Sequence, residues 1–472
     1  MPDTLTLAID QGTHSTRAVA FDAQGRRVAL TRRPVSLAAR SRTEVEQSPH
    51  EILASLHAVL DELLEHPAVE HAHITAAGLA TQRSSVLAWD RLTGQALSPV
   101  LSWQDTRCAQ HLQTLEPLNP EIRQRTGLHL SAHYGAGKLQ WLLEHEPALA
   151  AARDNGRLVM GPLASYLLHH LLAGAGERVD HANASRTLLW NLGQRDWDDW
   201  LLGLFGIARK LLPECRPICA DYGVTATGAI PVTAVNGDQT AALYAQGRPA
   251  PNTIRVNIGT GAFVLMPVNA IGQAHPGLLA GISQSSADSA QYYFEGTVNG
   301  AWAALAWAER QFKVNAIEQD LADWLAAIEA PPVFLNTVGG LGSPWWHPGP
   351  EPAFLDAPAS TAAAMVAVVE SIAFLIQANV DILCQLNPAV SAIQVSGGLA
   401  NLDGLCQRLA DLSGLPVQRP LQVEATARGI AWQAAGCPDD WPPSGPGEIF
   451  TPADNAALQQ RQERFLAGLA RT

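Results

Sequence analysis

Short apolar runs broken by glycine-rich polar turns recur along this chain. Leu5 to Ile9 reads as a buried strand that ends in Asp10. A polar turn on Gly12, Thr13, Ser15 and Thr16 follows, and the apolar pattern resumes from Ala18 to Phe21, giving strand, turn, strand. With a turn at Asp22-Ala-Gln-Gly25, the first 35 or so residues read as a strand meander. Ser48 then caps a helix whose apolar residues Ile52, Leu56, Val59, Leu60 and Leu63 share one face. Ile74–Ala80 and Ser85–Trp89 read as strands, and the stretch from 103 to about 235 is richer in helix signals and tryptophan.

Near mid-chain Gly237-Asp238 opens a helix, and Arg248-Pro-Ala-Pro-Asn252 has the composition of a linker. The opening pattern then returns: the strand Thr253–Asn257, the turn Ile258-Gly-Thr-Gly261, and the strand Ala262–Met266. A third glycine site follows, where a strand opens into a helix through Ser396-Gly397-Gly398 and on to Asn401. Ala362–Leu383 is the most apolar helix candidate, but Glu370, Gln377, Asn379 and Asp381 interrupt it, so it reads as a core helix. A terminal helix is expected from Thr451-Pro452, burying Leu458, Phe465, Leu466 and Leu469.

The turns carry candidate chemistry. Gly12 lets backbone amides approach a phosphate, Thr13 and Ser15 supply hydroxyls, and Arg17 supplies a cation. Asp10 would repel a phosphate but can hold the Mg²⁺ that phosphates share. On its own, the first hairpin reads equally well as an ordinary polar tip. Gly397 and Gly398 offer a side-chain-free surface for a base or ribose. The phosphate-binding P-loop is missing: around Gly135-Ala-Gly137-Lys138, Ala132 stands where the first glycine belongs and Leu139 where the hydroxyl belongs. No G-x-G-x-x-G follows a strand. With only three lysines, phosphate contacts fall to amides, hydroxyls, Mg²⁺ and arginine.

Composition narrows the class. The 472 residues imply at least two domains, and 47% hydrophobic content with mean hydropathy of +0.02 supports sizeable cores. A net charge of −13 without a basic run argues against nucleic acid and anionic membranes as partners. The N-terminus shows no signal-peptide pattern, and the six cysteines form no paired framework, so a cytoplasmic, reduced protein is expected. A homodimer is left open.

Several segments together resemble the FGGY carbohydrate kinases, and within them the glycerol kinase group. They are Asp10-Gln-Gly-Thr-His-Ser-Thr-Arg17, Thr81-Gln-Arg83, Ser102-Trp103-Gln-Asp105-Thr-Arg107, Gly237-Asp238-Gln239-Thr-Ala-Ala-Leu243, Gly259-Thr-Gly-Ala-Phe263 and Gly397-Gly398. The resemblance implies an α/β protein of two ribonuclease-H-like, actin-like (Hsp70-type ATPase) domains with a catalytic cleft between them. The domains are expected at 1–246, binding polyol or sugar, and 247–472, binding nucleotide. It implies ATP and Mg²⁺ as cofactors and phosphorylation of a hydroxyl on a small polyol or sugar. Asp238 falls on the family's catalytic aspartate, the general base. Arg83, Ser84, Trp103, His133, Asp238, Gln239 and Phe263 are expected to bind that substrate. Thr13, His14, Ser15, Arg17, Gly259, Thr260, Gly261, Gly397, Gly398 and Asn401 are expected to bind ATP and its phosphates. Asp10, through water, and Asp238 are expected to hold Mg²⁺.

Two departures bear on the substrate. Glycerol kinases carry a glutamate after the arginine, where this chain has Ser84, and a tyrosine at the position of His133. A wider, less anionic pocket is expected, and with it an alternative acceptor of four or five carbons: erythritol, erythrulose, ribulose or xylulose. Residues 220–230, where some glycerol kinases bind a regulatory sugar bisphosphate, contain no lysine or arginine, so no such regulation is expected. From another class, a catalytically silent sugar and ATP sensor of the same fold stays open.

Overall fold

The computed structural model describes residues 4–174, 176–272, 275–314, 320–421, 424–442 and 447–470. Its contacts divide the chain into two units. One comprises Met1–Pro249, Ala280–Tyr292 and Val423–Pro443; the other comprises Ala250–Leu279, Tyr293–Gln422 and Ser444–Thr472. Two segments later in the chain, Ala280–Tyr292 and Val423–Pro443, thus group with the first unit by contact.

The first unit is built on the expected meander. Strands β1 (Thr4–Gln11), β2 (Ser15–Asp22) and β3 (Arg27–Pro34) pair antiparallel, while β4 (His73–Thr81) and β5 (Val232–Gly237) join parallel, in the order β5-β4-β1-β2-β3. β1 is buried along nearly its whole length, as a central strand covered on both faces must be. Helix Pro49–Leu64 covers β2 and β3 with the expected face of Ile52, Leu56, Val59, Leu60 and Leu63. Its Ser48 hydroxyl accepts the Glu51 N–H, which satisfies one of the orphan donors of the first turn. Helix Ala425–Ala434, from the returning segment, packs on β1 and β4.

The second unit repeats the plan. β6 (Thr253–Ile258) pairs antiparallel with β7 (Ala262–Val268) and parallel with β9 (Ala392–Ser396). β8 (Ala290–Val298) lies beside β7; β10 (Val417–Arg419) continues from β9, and β11 (Glu448–Phe450) closes that edge. In each unit the first strand therefore has an antiparallel hairpin partner on one side and a parallel strand on the other. Helix Thr361–Leu386 is long and apolar enough to cross a membrane by length and composition, yet 83% of its most apolar window is buried inside the protein. Its Glu370, 1% exposed, accepts hydrogen bonds from Arg408 (3.1 Å) and Arg461 (2.7 and 2.8 Å). It is a core helix with a paired charge.

The terminal helix begins at Ala456, not at Thr451. Ala453 N–H and Asn455 Nδ2 both donate to the Asp411 carboxylate, and the Asn455 side chain accepts the Leu458 N–H at 3.2 Å. Asn455 thus takes the capping place that Thr451-Pro452 was expected to supply. Leu458, Phe465 and Leu469 are buried as expected, while Leu466 is half-buried.

Candidate active site

β1 ends at Gln11, and the chain reverses through Gly12–His14 into β2, held by Gly12 N–H to Ser15 O at 3.0 Å. Gln47 Nε2 donates to Thr13 O at 2.8 Å, and Val35 N–H to His14 O at 3.0 Å. Outside contacts therefore set the shape of this turn. Ser15 is buried and His14 exposed. Arg17 pairs closely with Glu424 and lies 3.8 Å from Asp10 Oδ2.

At the C-terminal end of β5 the chain turns directly into helix Asp238–Ala242. Asn236 Oδ1 accepts from Gly237 N–H (2.8 Å) and Thr240 Oγ1 (2.6 Å), which pins the turn. The Asp238 carboxylate accepts the Gln239 N–H at 2.7 Å and sits 3.8 Å from Arg83 Nε. Gly237 is required here, since a Cβ at that position would come within 2.5 Å of Arg83 Cγ. Arg83 itself is 8% exposed.

Burial pushes the Asp10 carboxyl up to about 7; Arg17 opposes the shift, and the charges of Asp238 and Glu424 add to it. Asp10 therefore feels Asp238 across the site. Asp238 is also raised, by burial, against the pull of Arg83 and Arg186 and the Gln239 N–H. His133 is held well below its usual range by burial and by the positive charges of Lys138, Arg186 and Arg83, so it stands neutral. Trp103 packs edge-on against His133, ring centroids 5.7 Å apart, and its indole N–H donates to Thr13 Oγ at 3.0 Å. Ser84 is 2% exposed and adopts the left-handed backbone region at φ 65°. Its hydroxyl has no hydrogen-bond partner among the described residues.

The first unit thus gathers Asp10, Thr13, Arg17, Arg83, Ser84, Trp103, His133 and Asp238, with Gln239 beside the last. Phe263 belongs to the second unit, one residue into β7, with its side chain half-buried. The second unit also holds a cavity of about 430 Å³ lined by Gly259, Thr260, Trp302, Leu321, Gly398, Leu399, Asn401 and Leu402. The carbonyls of Gly259 and Thr260 accept the N–H groups of Trp302 and Ala303, both at 3.1 Å, at the start of helix Trp302–Phe312. Gly397 has φ 92°, and a Cβ there would lie 2.5 Å from Ile258 O, so only glycine fits. Gly261 and Gly397 serve close backbone approach, while Gly259, Thr260, Gly398 and Asn401 face the cavity.

Sequence reasoning missed three charged residues and the apolar wall. Lys138, dismissed as part of a failed P-loop, is fully buried and donates to the carbonyls of Ser84 (3.2 Å), Ser102 (2.7 Å) and His133 (2.8 Å). Arg186 bears on both Asp238 and His133. Glu424 comes from the returning segment to meet Arg17. The Trp302, Leu321, Leu399 and Leu402 wall depends on which helices meet, and no local motif marks it.

The donor set fits Mg²⁺. Asp10 and Asp238 offer hard carboxylate oxygens, and the electrostatic strain on Asp10 from burial and neighbouring anions is what a divalent cation would relieve. Among the described residues no group of three or more His, Cys, Asp or Glu could hold a metal, so phosphate and water oxygens would have to complete the shell.

Two sheets of this shared plan, each opening on a strand–glycine turn–strand hairpin, are those of the actin-like ATPase fold class. The chain belongs to the FGGY family of carbohydrate kinases: residues 5–245 match the family's N-terminal domain and residues 255–436 its C-terminal domain. It is a phosphotransferase with an alcohol group as acceptor, similar to glycerol kinases. The glycerol kinase of Rippkaea orientalis is 33% identical over 445 residues, covering 92% of this chain and 89% of that protein. That of Acidovorax ebreus is 33% identical over 491 residues, covering 99% and 96%. The fold matches crystal structures of Plasmodium falciparum glycerol kinase with ADP (TM-score 0.90, 23% identity, 100% of this chain and 98% of that one). It also matches xylulose kinase from Rhodospirillum rubrum (TM-score 0.86, 21% identity, 99% and 98%).

Proposed function

We propose that this carbohydrate kinase transfers the γ-phosphoryl group of ATP to a hydroxyl of a small polyol or sugar, with Asp238 as general base. The observation that carries this reading is the Asp238 carboxylate itself. It is anchored by the Gln239 N–H, lies 3.8 Å from the Arg83 guanidinium, and has its pKa raised by burial. Burial makes a carboxylate so placed a better proton acceptor than a solvated one, and Arg83 opposes its protonation. Arg83, Gln239 and neutral His133 offer hydrogen bonds to the acceptor's hydroxyls, and the Trp103 face covers its carbons.

Nucleotide is proposed to occupy the cavity lined by Gly259, Thr260, Gly398 and Asn401, with Gly261 and Gly397 shaping its backbone. The first-unit turn, Thr13, His14, Ser15 and Arg17, is proposed to receive phosphate oxygens. Asp10, through water, and Asp238 would hold Mg²⁺, which neutralises phosphate charge when bound.

The acceptor is proposed to carry at least one more carbon than glycerol, or a carbonyl. Ser84 is shorter than the glutamate of glycerol kinases, and its buried hydroxyl, without a partner among the described residues, is a site for an additional acceptor oxygen. ADP release measured with glycerol, erythritol, threitol, erythrulose, ribulose, xylulose and dihydroxyacetone tests both parts. No turnover with any polyol or sugar removes the kinase reading; glycerol best by about tenfold or more removes the larger acceptor.

A further inference from the structure

Lys138 is 0% exposed, and in its protonated form it has three N–H donors that meet three backbone carbonyls: Ser84 at 3.2 Å, Ser102 at 2.7 Å and His133 at 2.8 Å. These carbonyls lie 54, 36 and 5 residues away in sequence. Each sits on a different segment, and each segment carries groups assigned above to the acceptor: Arg83 and Ser84, Trp103, and His133.

Among the described residues, no carboxylate neutralises this cation by direct contact. The nearby Asp105, itself fully buried, is taken up by Arg107 (2.8 and 3.0 Å) and by the Val45 N–H (2.8 Å). Burying a cation on neutral acceptors is costly, and an apolar side chain of similar length would fill the space without that cost. What the ammonium supplies and an apolar group cannot is a fixed separation between three loop carbonyls. One of them belongs to Ser84, whose left-handed backbone is disfavoured for a residue with a Cβ and needs an external hold. A second tie runs the same way: Ser85 Oγ accepts the Trp103 N–H at 3.0 Å and donates to Gln82 Oε1 at 3.0 Å.

We propose that Lys138 is a positioning residue for phosphoryl acceptor binding, clamping the Ser84, Ser102 and His133 backbones so that Arg83, Ser84, Trp103 and His133 face one acceptor together. This rests on the acceptor-site reading given above.

The test compares Lys138→Met, Lys138→Gln and Arg83→Ala with wild type, well below their unfolding temperatures, using the best acceptor from the panel. Lys138→Met comes within one heavy atom of the length of the side chain and removes its donors. It is expected to raise the acceptor KM by about tenfold or more while the ADP dissociation constant stays within about two-fold, with Lys138→Gln in between because it retains two N–H groups. A lower unfolding temperature with acceptor KM unchanged in both Lys138 variants overturns the inference, since that is what a purely structural lysine would show. Should Lys138→Met fail to fold, Lys138→Gln carries the same comparison. If Arg83→Ala raises the acceptor KM and the Lys138 variants do not, the clamp alone falls; if Arg83→Ala leaves it unchanged, the acceptor site itself is misassigned.

Discussion

The indole N–H of Trp103 donates to the hydroxyl of Thr13 at 3.0 Å, tying the proposed acceptor wall to the proposed phosphate turn. Thr13 is held in turn by Gln47 through its carbonyl, and Trp103 by Ser85 through its N–H. A displacement of either side chain is therefore felt at the other.

Thr13→Val keeps the shape of the side chain and removes the acceptor. The half-buried indole N–H is then left without this partner, a loss of about 1–2 kcal/mol. Steady-state kinetics should show KM rising for both the acceptor and ATP, by roughly five- to thirty-fold for the more affected. A change confined to ATP would mean that the Trp103 contact does not link the two.

Ser84→Ala separates stability from function. The Ser84 hydroxyl is buried without a partner among the described residues, so removing it should leave urea stability unchanged or raise it by up to about 1 kcal/mol. The acceptor KM should rise at the same time. Loss of stability with unchanged KM would show that this hydroxyl serves the fold.

Asp238 must be ionised to accept a proton, and burial raises its pKa. The acidic limb of the kcat/KM profile should therefore lie above the pKa of an unperturbed aspartate. Arg83 holds this pKa down, so Arg83→Met should move the limb to higher pH in addition to weakening acceptor binding. A limb that stays in place would dissociate Arg83 from the titrating group.

Burial lowers Lys138 from 10.5 to about 7. Between these values the unfolded chain holds a proton at this position that the folded chain has lost, leaving two N–H donors for the three carbonyls. Stability then rises with pH, and the cost of burying the charge is fully present below about 7. The unfolding free energy of wild type minus that of Lys138→Met should thus increase from pH 7 towards pH 10, with a slope approaching about 1.4 kcal/mol per pH unit. A flat difference would show that Lys138 stays charged in the folded protein on its three carbonyls.

The hairpins at Asp10 and Ile258 were legible because strand, glycine turn and strand lie within some twenty residues, and the alternation of apolar and polar positions needs no tertiary information. The Ser48-capped helix was legible for the same reason. The return of Ala425–Ala434 to the first unit was not, since nothing local marks which sheet an apolar helix face will cover. Arg83 and Asp238 were found through motif resemblance; their 3.8 Å approach depends on β4 and β5 lying side by side. Lys138 was misjudged because a lysine after glycines was tested only as a phosphate ligand, and its three partners are backbone atoms that no side-chain pattern can reveal.

Asp238→Asn tests the central claim most directly, because it keeps size and hydrogen-bonding capacity while removing the base. Single-turnover phosphoryl transfer to the best acceptor, measured beside ADP binding, should show transfer slowed by roughly 10²–10⁴-fold with nucleotide affinity within about three-fold of wild type. Transfer within a few-fold of wild type would contradict the assignment of Asp238 as the base.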